Sequence, residues 1–284
     1  MDNARESVEA LRAALGARFA GIDIACIGET GSTNADLLEE ARAGAAAPRP
    51  RLLVAERQTA GRGRRGRHWH STPGASLTFS LGWPLRRADL SGLSLAVGVA
   101  VAGAIDPAHR AERHVAIKWP NDLWLAGPGE EGGKLGGILI ETTPVEGGRL
   151  AVIGIGLNVL AQRAAEVSSR MAWLAQLDAR ASVGGALSCI VPALMDALGR
   201  FDAAGFAPFA AGFAARDLLA GRAVRCSGGG DGDGIAGVAA GVSPTGALQV
   251  RTAHGIERID SGEVSVRMAD DAAPATPRSA RAPC

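Results

Sequence analysis

From Gly221 onward the chain changes texture, and that change constrains the fold more than any single motif. Short β-like runs, "RAVRC", "GIAGVAAGV", "ALQVRT", "GIERI" and "EVSVR", follow one another, punctuated by "SGGGDGDG" and "SPTG". Five short strands in succession predict a small barrel. Upstream, helices and strands are mixed. "STNADLLEEARA" reads as a helix that Thr33 can cap, with Asp36 three residues later and Leu37, Leu38 and Ala41 on its apolar face. "RLLVAERQ" and the alternating "SLTFSLGW" read as strands, as do Val115 to Trp119, Leu135 to Thr142 and Leu150 to Val159, with Gly- and Pro-bearing turns such as "LAGPGEEGG" between them. Leu90 to Ile105, Gly185 to Phe201 and Phe206 to Leu219 read as helices. The expected class is α+β: a mixed-sheet domain over residues 1–219, a small β domain over 220–268, and a disordered Ala- and Pro-rich tail over 269–284. No internal repeat is visible.

Charge matters because one stretch, "QTAGRGRRGRHW" (Gln58 to Trp69), is dense in arginine and glycine, whereas the whole chain carries Lys+Arg 30 against Asp+Glu 29. No global field is available to hold a polyanion, so nucleic acid is not an expected partner. Cys26, Cys189, Cys226 and Cys284 are scattered, with no spacing for zinc or a disulfide framework, which fits a reducing, cytoplasmic compartment. The first residues form an amphipathic pattern, Val8, Leu11 and Leu15, rather than a signal peptide. The apolar run Leu93 to Ile105 falls short of the ~18 residues of a membrane span, so no membrane is expected.

Taken alone, the Arg-Gly stretch has three readings. One is a solvated loop. Another is phosphate contact with RNA or DNA, which lacks a surrounding basic surface. The third is a loop, mobile without ligand, that closes over one small polyanion: glycines let backbone N–H groups approach and arginines give bidentate donors to carboxylate and phosphate.

Other stretches bear on that choice. "GSTN", "QTAGRGRRGRHW", "KWPNDL", "KLGGILIE" and "GIGLNV" occur in this order, and the region from about Ile27 to Leu160 resembles the catalytic domain of biotin protein ligases. The later pattern around "GVSPTGALQV" and "GEVSVR" is similar to that family's small SH3-like C-terminal domain. The resemblance implies a two-step reaction. ATP, with Mg2+, activates the biotin carboxylate to biotinyl-5'-adenylate with loss of pyrophosphate, and the acyl group passes to one lysine of a biotin carboxyl carrier domain.

The same resemblance assigns roles position by position. Ser32, Thr33, Asn34 and Gln58 would line the biotin pocket, where short side chains supply the donors and acceptors that a urea ring needs. Helix capping is the plainer role for Ser32 and Thr33. Gly61, Arg62 and Arg64 would contact the ligand carboxylate or adenylate phosphate, and Arg65 and Arg67 have less definite positions. Trp69 would pack beside the adenine, or simply in the core. Lys134 is the leading catalytic residue, with Gly136, Gly137 and Ile138 beside the biotin tail; a surface lysine at a hairpin end is the alternative. Asn121 and Asp122 end the turn that begins at Lys118 and Pro120. Asp122 either helps hold Mg2+ or accepts a proton from the carrier lysine, and the sequence leaves both open. Gly154, Gly156 and Asn158 read as a strand entering a tight glycine turn near the nucleotide. His68 and His70 have no acidic or thiol partners nearby and receive no metal role. Neither a Rossmann fingerprint nor a Walker A motif occurs.

Two rival readings come from the same comparison. A bifunctional ligase and DNA-binding repressor would need a helix-turn-helix reader, and the residues ahead of the first ligase-like strand suffice for one helix only. A lipoate-protein ligase would use the same scaffold for an apolar acyl chain, and the Arg-Gly cluster with "KWPNDL" argues for biotin. Family members can pair through the central sheet, so a homodimer is possible.

Overall fold

The computed structural model describes residues 8–9, 11–13, 15–16, 21–44, 49–127, 132–162, 171–227, 234–262 and 265–268. The expected turn around 128–131, most of the glycine run after Ser227 and the expected tail 269–284 lie outside them.

Seven strands make one mixed sheet in the order β1-β2-β3-β7-β6-β5-β4. They are Asp23–Thr30 (β1), Arg51–Gln58 (β2), Ser76–Leu85 (β3), His114–Lys118 (β4), Asp122–Ala126 (β5), Gly133–Val145 (β6) and Gly148–Asn158 (β7). β1 and β2 are parallel, so a crossover must join them, and helix α1 (Thr33–Arg42) provides it. The remaining neighbours are antiparallel. Five more strands, Ala223–Ser227 (β8), Ile235–Val242 (β9), Leu248–Thr252 (β10), Gly255–Ile259 (β11) and Ser265–Met268 (β12), form an antiparallel sheet in the order β11-β10-β9-β8-β12. The five short strands expected after Gly221 are therefore present, as a second β unit.

The large sheet has two chemically distinct faces. On one, Leu77, Phe79 and Leu81 of β3 and Ile153, Ile155 and Leu157 of β7 join the main core with helices α2 (Leu93–Ile105) and α3 (Val183–Ala204). α3 is long and apolar enough to cross a membrane, but Leu187, Ile190, Leu194, Leu198 and Phe201 are buried in this core. On the opposite face Leu37 and Leu38 of α1 pack on Leu53, Leu150 and Val152. Beyond them, towards the ends of β3 and β7, that face turns polar. Val8, Leu11 and Leu15 are helical and buried in the main core, as their spacing predicts.

Three local expectations need correction. Ser32, not Thr33, caps α1: Ser32 has extended backbone (φ −162, ψ 123) and its hydroxyl accepts from Ala35 N at 3.5 Å. Thr33 is the first helical residue, and its hydroxyl serves another purpose. The helix expected from Phe206 to Leu219 shrinks to a 3-10 turn at Ala207–Phe209 and the short helix α4, Ala210–Ala214. The chain after it is drawn to the sheet edge, where Ile117 N donates to Arg216 O and Leu218 N to Ile117 O. Arg216 is fixed there by a buried ion pair with Asp106 at 2.9 Å and a bond to Val115 O at 2.8 Å. Finally, "GIGLN" makes no turn: Gly154, Gly156 and Asn158 all lie within β7.

Candidate active site

Antiparallel register places directly opposed residues on one face. Ser76, Thr78 and Ser80 of β3 oppose Asn158, Gly156 and Gly154 of β7; Gly156 and Gly154 in turn oppose Gly137 and Leu139 of β6, and Gly137 opposes Asp122 of β5. Four strands thus bring Asp122, Lys134, Gly137, Gly154, Gly156 and Asn158 onto the polar face, with α1 and the Arg-Gly stretch over it, whereas Ile138, expected beside the biotin tail, turns to the other face and joins the main core.

At the α1 end the polar groups form one connected run. Thr33 Oγ1 is 2.6 Å from Ser80 Oγ, Ser80 Oγ donates to Asn34 Oδ1 at 2.6 Å, and Asn34 Nδ2 donates to Glu141 Oε2 at 2.8 Å. Gln58 Oε1 accepts from Thr33 N at 2.8 Å and lies 3.0 Å from Thr33 Oγ1. Two hydroxyl protons face three oxygen contacts. Since Gln58 Oε1 already has the Thr33 N–H, the run Thr33 to Ser80 to Asn34 uses both protons. Ser32, Thr33, Asn34 and Ser80 are all buried, so this is a pre-formed, uncharged polar wall.

The glycines of β7 exist because of their neighbours. A Cβ on Gly154 would stand 2.3 Å from Asn34 Oδ1, and one on Gly156 would stand 2.3 Å from Cε2 of Trp69. Gly61 is likewise confined, by Trp69 O and Gln58 Nε2. The space above Gly136 is filled by Gly156 O, whereas Gly137 is open except for ordinary contact with Asp122 and Lys134. Of the glycine pair, Gly137 is the one that faces the site.

Lys134 and Asp122 meet there at 2.7 Å, both about three-quarters shielded from water. The backbone of Lys134 is itself held, because Ala172 N donates to Lys134 O at 2.9 Å and the buried Asn158 Nδ2 bonds Ala172 O at 3.1 Å. Asn121 is locked onto Ile138, donating from Nδ2 to Ile138 O at 2.8 Å and accepting from Ile138 N at 2.9 Å. These asparagines position the strands that carry Lys134 and Asp122. Lys118 lies with its ammonium 4.8 Å from the Trp124 ring.

The Arg-Gly stretch folds as a hairpin. Arg62 bridges His68, Gly63 N donates to Arg67 O at 2.7 Å and Trp69 N to Gly61 O at 2.9 Å. Gly66 (φ 68) and Arg65 (φ 57) take the left-handed turn that closes it. Arg62, Arg65 and Arg67 are solvent-facing or nearly so, and Arg64 alone points inward. Its Nη1 lies 3.4 Å from Asn121 Oδ1, and Nη2 donates to the carbonyls of Ser261 and Gly262 in the second β unit. Burial, with Arg65 and Arg67 adding, pushes the guanidinium pKa below its ordinary value, and Asp122 opposes that.

Among the described residues, no three His, Cys, Asp or Glu side chains converge as a metal cage, and one oxygen of Asp122 is taken by Lys134. Ser76, Thr78 and Ser80 join this face as well, and the polar alternation of "SLTFSLGW" is the sequence signal for them.

Residues 27–158 match the Biotin/lipoate A/B protein ligase family, and residues 221–267 match the Biotin protein ligase C terminal domain. The Biotin--[acetyl-CoA-carboxylase] ligase of Paracoccus denitrificans is 32% identical over 256 residues, covering 84% of this chain and 98% of that protein. The Bifunctional ligase/repressor BirA of Escherichia coli is 33% identical over 222 residues, which cover 76% of this chain and 66% of the relative. Among solved structures, the biotin protein ligase from Aquifex aeolicus in complex with biotin and ATP superposes with a TM-score of 0.71 at 29% identity, covering 87% of this chain and 99% of that one. Matched over most of its length by ligases of this kind, and over both of its units by the family's two domains, the chain belongs to the biotin protein ligase family.

Proposed function

We propose that this protein activates biotin to biotinyl-5'-adenylate with ATP and transfers the biotinyl group to a lysine of a biotin carboxyl carrier domain. One observation carries the reading: a single sheet face joins an uncharged polar wall, Thr33-Ser80-Asn34 with Gln58, to a shielded cation, Lys134. Biotin has the matching asymmetry, a urea ring at one end and a carboxylate at the other. In the first step a carboxylate oxygen attacks the α-phosphorus of ATP, and pyrophosphate leaves. In the second, the carrier lysine, as a free amine, attacks the acyl carbon and AMP leaves, with a proton lost from the amine. Lys134, Arg62 and Arg64 offset negative charge on carboxylate and phosphate oxygens. Trp69, Asn121, Gly156 and Asn158 belong to the nucleotide side. Asp122 holds the Lys134 ammonium and would take up the proton that the carrier amine loses.

Mg2+ would enter with the nucleotide, held mainly by its phosphates, and would neutralise their charge. A cytoplasmic setting follows from the supply of ATP and carboxylases there. Pairing of two chains through the central sheet has an available edge on β6 beyond Ile138, where β5 no longer pairs with it. Residues 1–219 would act as the catalytic domain and 220–268 as the small SH3-like domain.

The deciding experiment incubates the protein with ATP, Mg2+, biotin and a carrier domain and reads the carrier's mass. A biotinyl shift on one lysine is expected; a shift with lipoate and none with biotin would overturn the substrate. Gly154→Ala drives a methyl group into Asn34 and breaks the polar run, so KM for biotin should rise about tenfold or more. Unchanged KM in a steady-state assay would show that Asn34 does not need its place. With Lys+Arg 30 and Asp+Glu 29, duplex DNA should show no salt-sensitive binding at physiological ionic strength, and a band shift at nanomolar protein would revive the repressor reading.

A further inference from the structure

Thr78 stands midway along the polar face, between Ser76 and Ser80 on β3. Both serines are engaged: Ser76 Oγ accepts from Thr72 N at 3.0 Å and from Gln162 Nε2 at 2.9 Å, and Ser80 belongs to the polar wall. Thr78 is only 3% exposed, yet its hydroxyl oxygen is buried with no hydrogen-bond partner. Directly opposite is Gly156, covered by the Trp69 ring, whose Nε1 is also buried and unpartnered. Two unsatisfied polar groups therefore flank one point of the site. Burying a hydroxyl without a partner is destabilising, and valine would fill the same volume without that cost.

We infer that Thr78 is a biotin-binding residue whose hydroxyl acquires its missing hydrogen bond from the polar bicyclic ring of the ligand. The inference rests on the proposed biotin reading and deepens it. Thr78 lies two residues beyond Ser80, about 7 Å along the strand, and so within the length of a ring system anchored at the polar wall. A hydroxyl both donates and accepts, which suits a urea that presents N–H and C=O groups together. A plain acyl chain would leave the same hydroxyl unpaired in the complex as well. Thr78 thus selects for a polar ring at a depth where the sheet is otherwise glycine.

The test compares the full chain with Thr78→Val and Thr78→Ser, by calorimetric titration with biotin and by thermal unfolding without it. Thr78→Val should bind biotin about tenfold more weakly while its unliganded Tm is no lower than that of the native chain, and Thr78→Ser should bind within about twofold of native. Native-like binding by Thr78→Val, with the native chain binding biotin, would overturn the role of Thr78 and leave the ligase reading standing. Parallel losses of binding and Tm in both variants would make the residue structural and overturn it too. No biotin binding by the native chain would overturn the reading on which the inference rests, and the inference with it.

Discussion

Lys134→Ala should lower biotin-dependent pyrophosphate release by about a hundredfold or more while biotin still binds, the scale on which one donor to transition-state charge is lost. As a carboxylate oxygen approaches the α-phosphorus, negative charge grows on the non-bridging oxygens, so a cation fixed beside them favours the transition state over the ground state. Lys134 meets the requirement of being fixed. Asp122 holds its Nζ at 2.7 Å, and Ala172 and Asn158 hold the backbone on the other side of the strand. The substitution does a second harm, because it leaves the Asp122 carboxylate uncompensated beside an anionic reaction. Adding Asp122→Asn to Lys134→Ala should therefore recover part of the loss, and double-mutant analysis of pyrophosphate release measures how much. Near-normal release in the single variant removes Lys134 from the mechanism. Loss of biotin binding together with release would instead place Lys134 in ground-state recognition.

Much of this site was visible in the sequence because its motifs sit where backbone geometry is exacting. "GSTN" opens a helix, the Lys118-to-Asp122 turn closes a hairpin, and the glycines of "KLGG" and "GIGLN" mark close approaches. The cause of those approaches was not visible. Gly154 and Gly156 looked like turn residues near a nucleotide; they are strand residues that leave room for Asn34 and Trp69, from segments far away in sequence. Strand β5 carries no separate signal in the sequence because it follows a Pro-Asn turn directly and is only five residues long. Helix propensity past Phe206 was overridden by the pull of Asp106 on Arg216 and by an open sheet edge, both tertiary effects. The polar half of β3 was on view as alternation, but only the register shows which partners Ser80 and Thr78 face.

Arg64→Gly should still make adenylate, through Lys134 and the Mg2+ carried by ATP, but should hold it poorly. Arg64 is the one arginine of its hairpin that turns inward, and its hydrogen-bond partners among the described residues are all uncharged: the Asn121 amide oxygen and the carbonyls of Ser261 and Gly262. Burial depresses its pKa, and the Asp122 carboxylate offsets that only in part. An acyl-phosphate anhydride offers fuller compensation, since charge-assisted bonds to phosphate are stronger than bonds to neutral carbonyls. Adenylate should therefore draw Arg64 away from the second β unit and be covered by the hairpin, which keeps water from a hydrolysable bond. With glycine at this position the lost bond is worth about 1.5–3 kcal/mol, so release of adenylate should speed up roughly ten- to hundredfold. Free adenylate acylates accessible lysines without selection. Incubating the variant with ATP, biotin and an unrelated protein, then probing that protein for biotin, should reveal labelling well above that given by the native chain. If the variant consumes ATP yet labels the bystander no more than the native chain does, retention of the intermediate is not what Arg64 does.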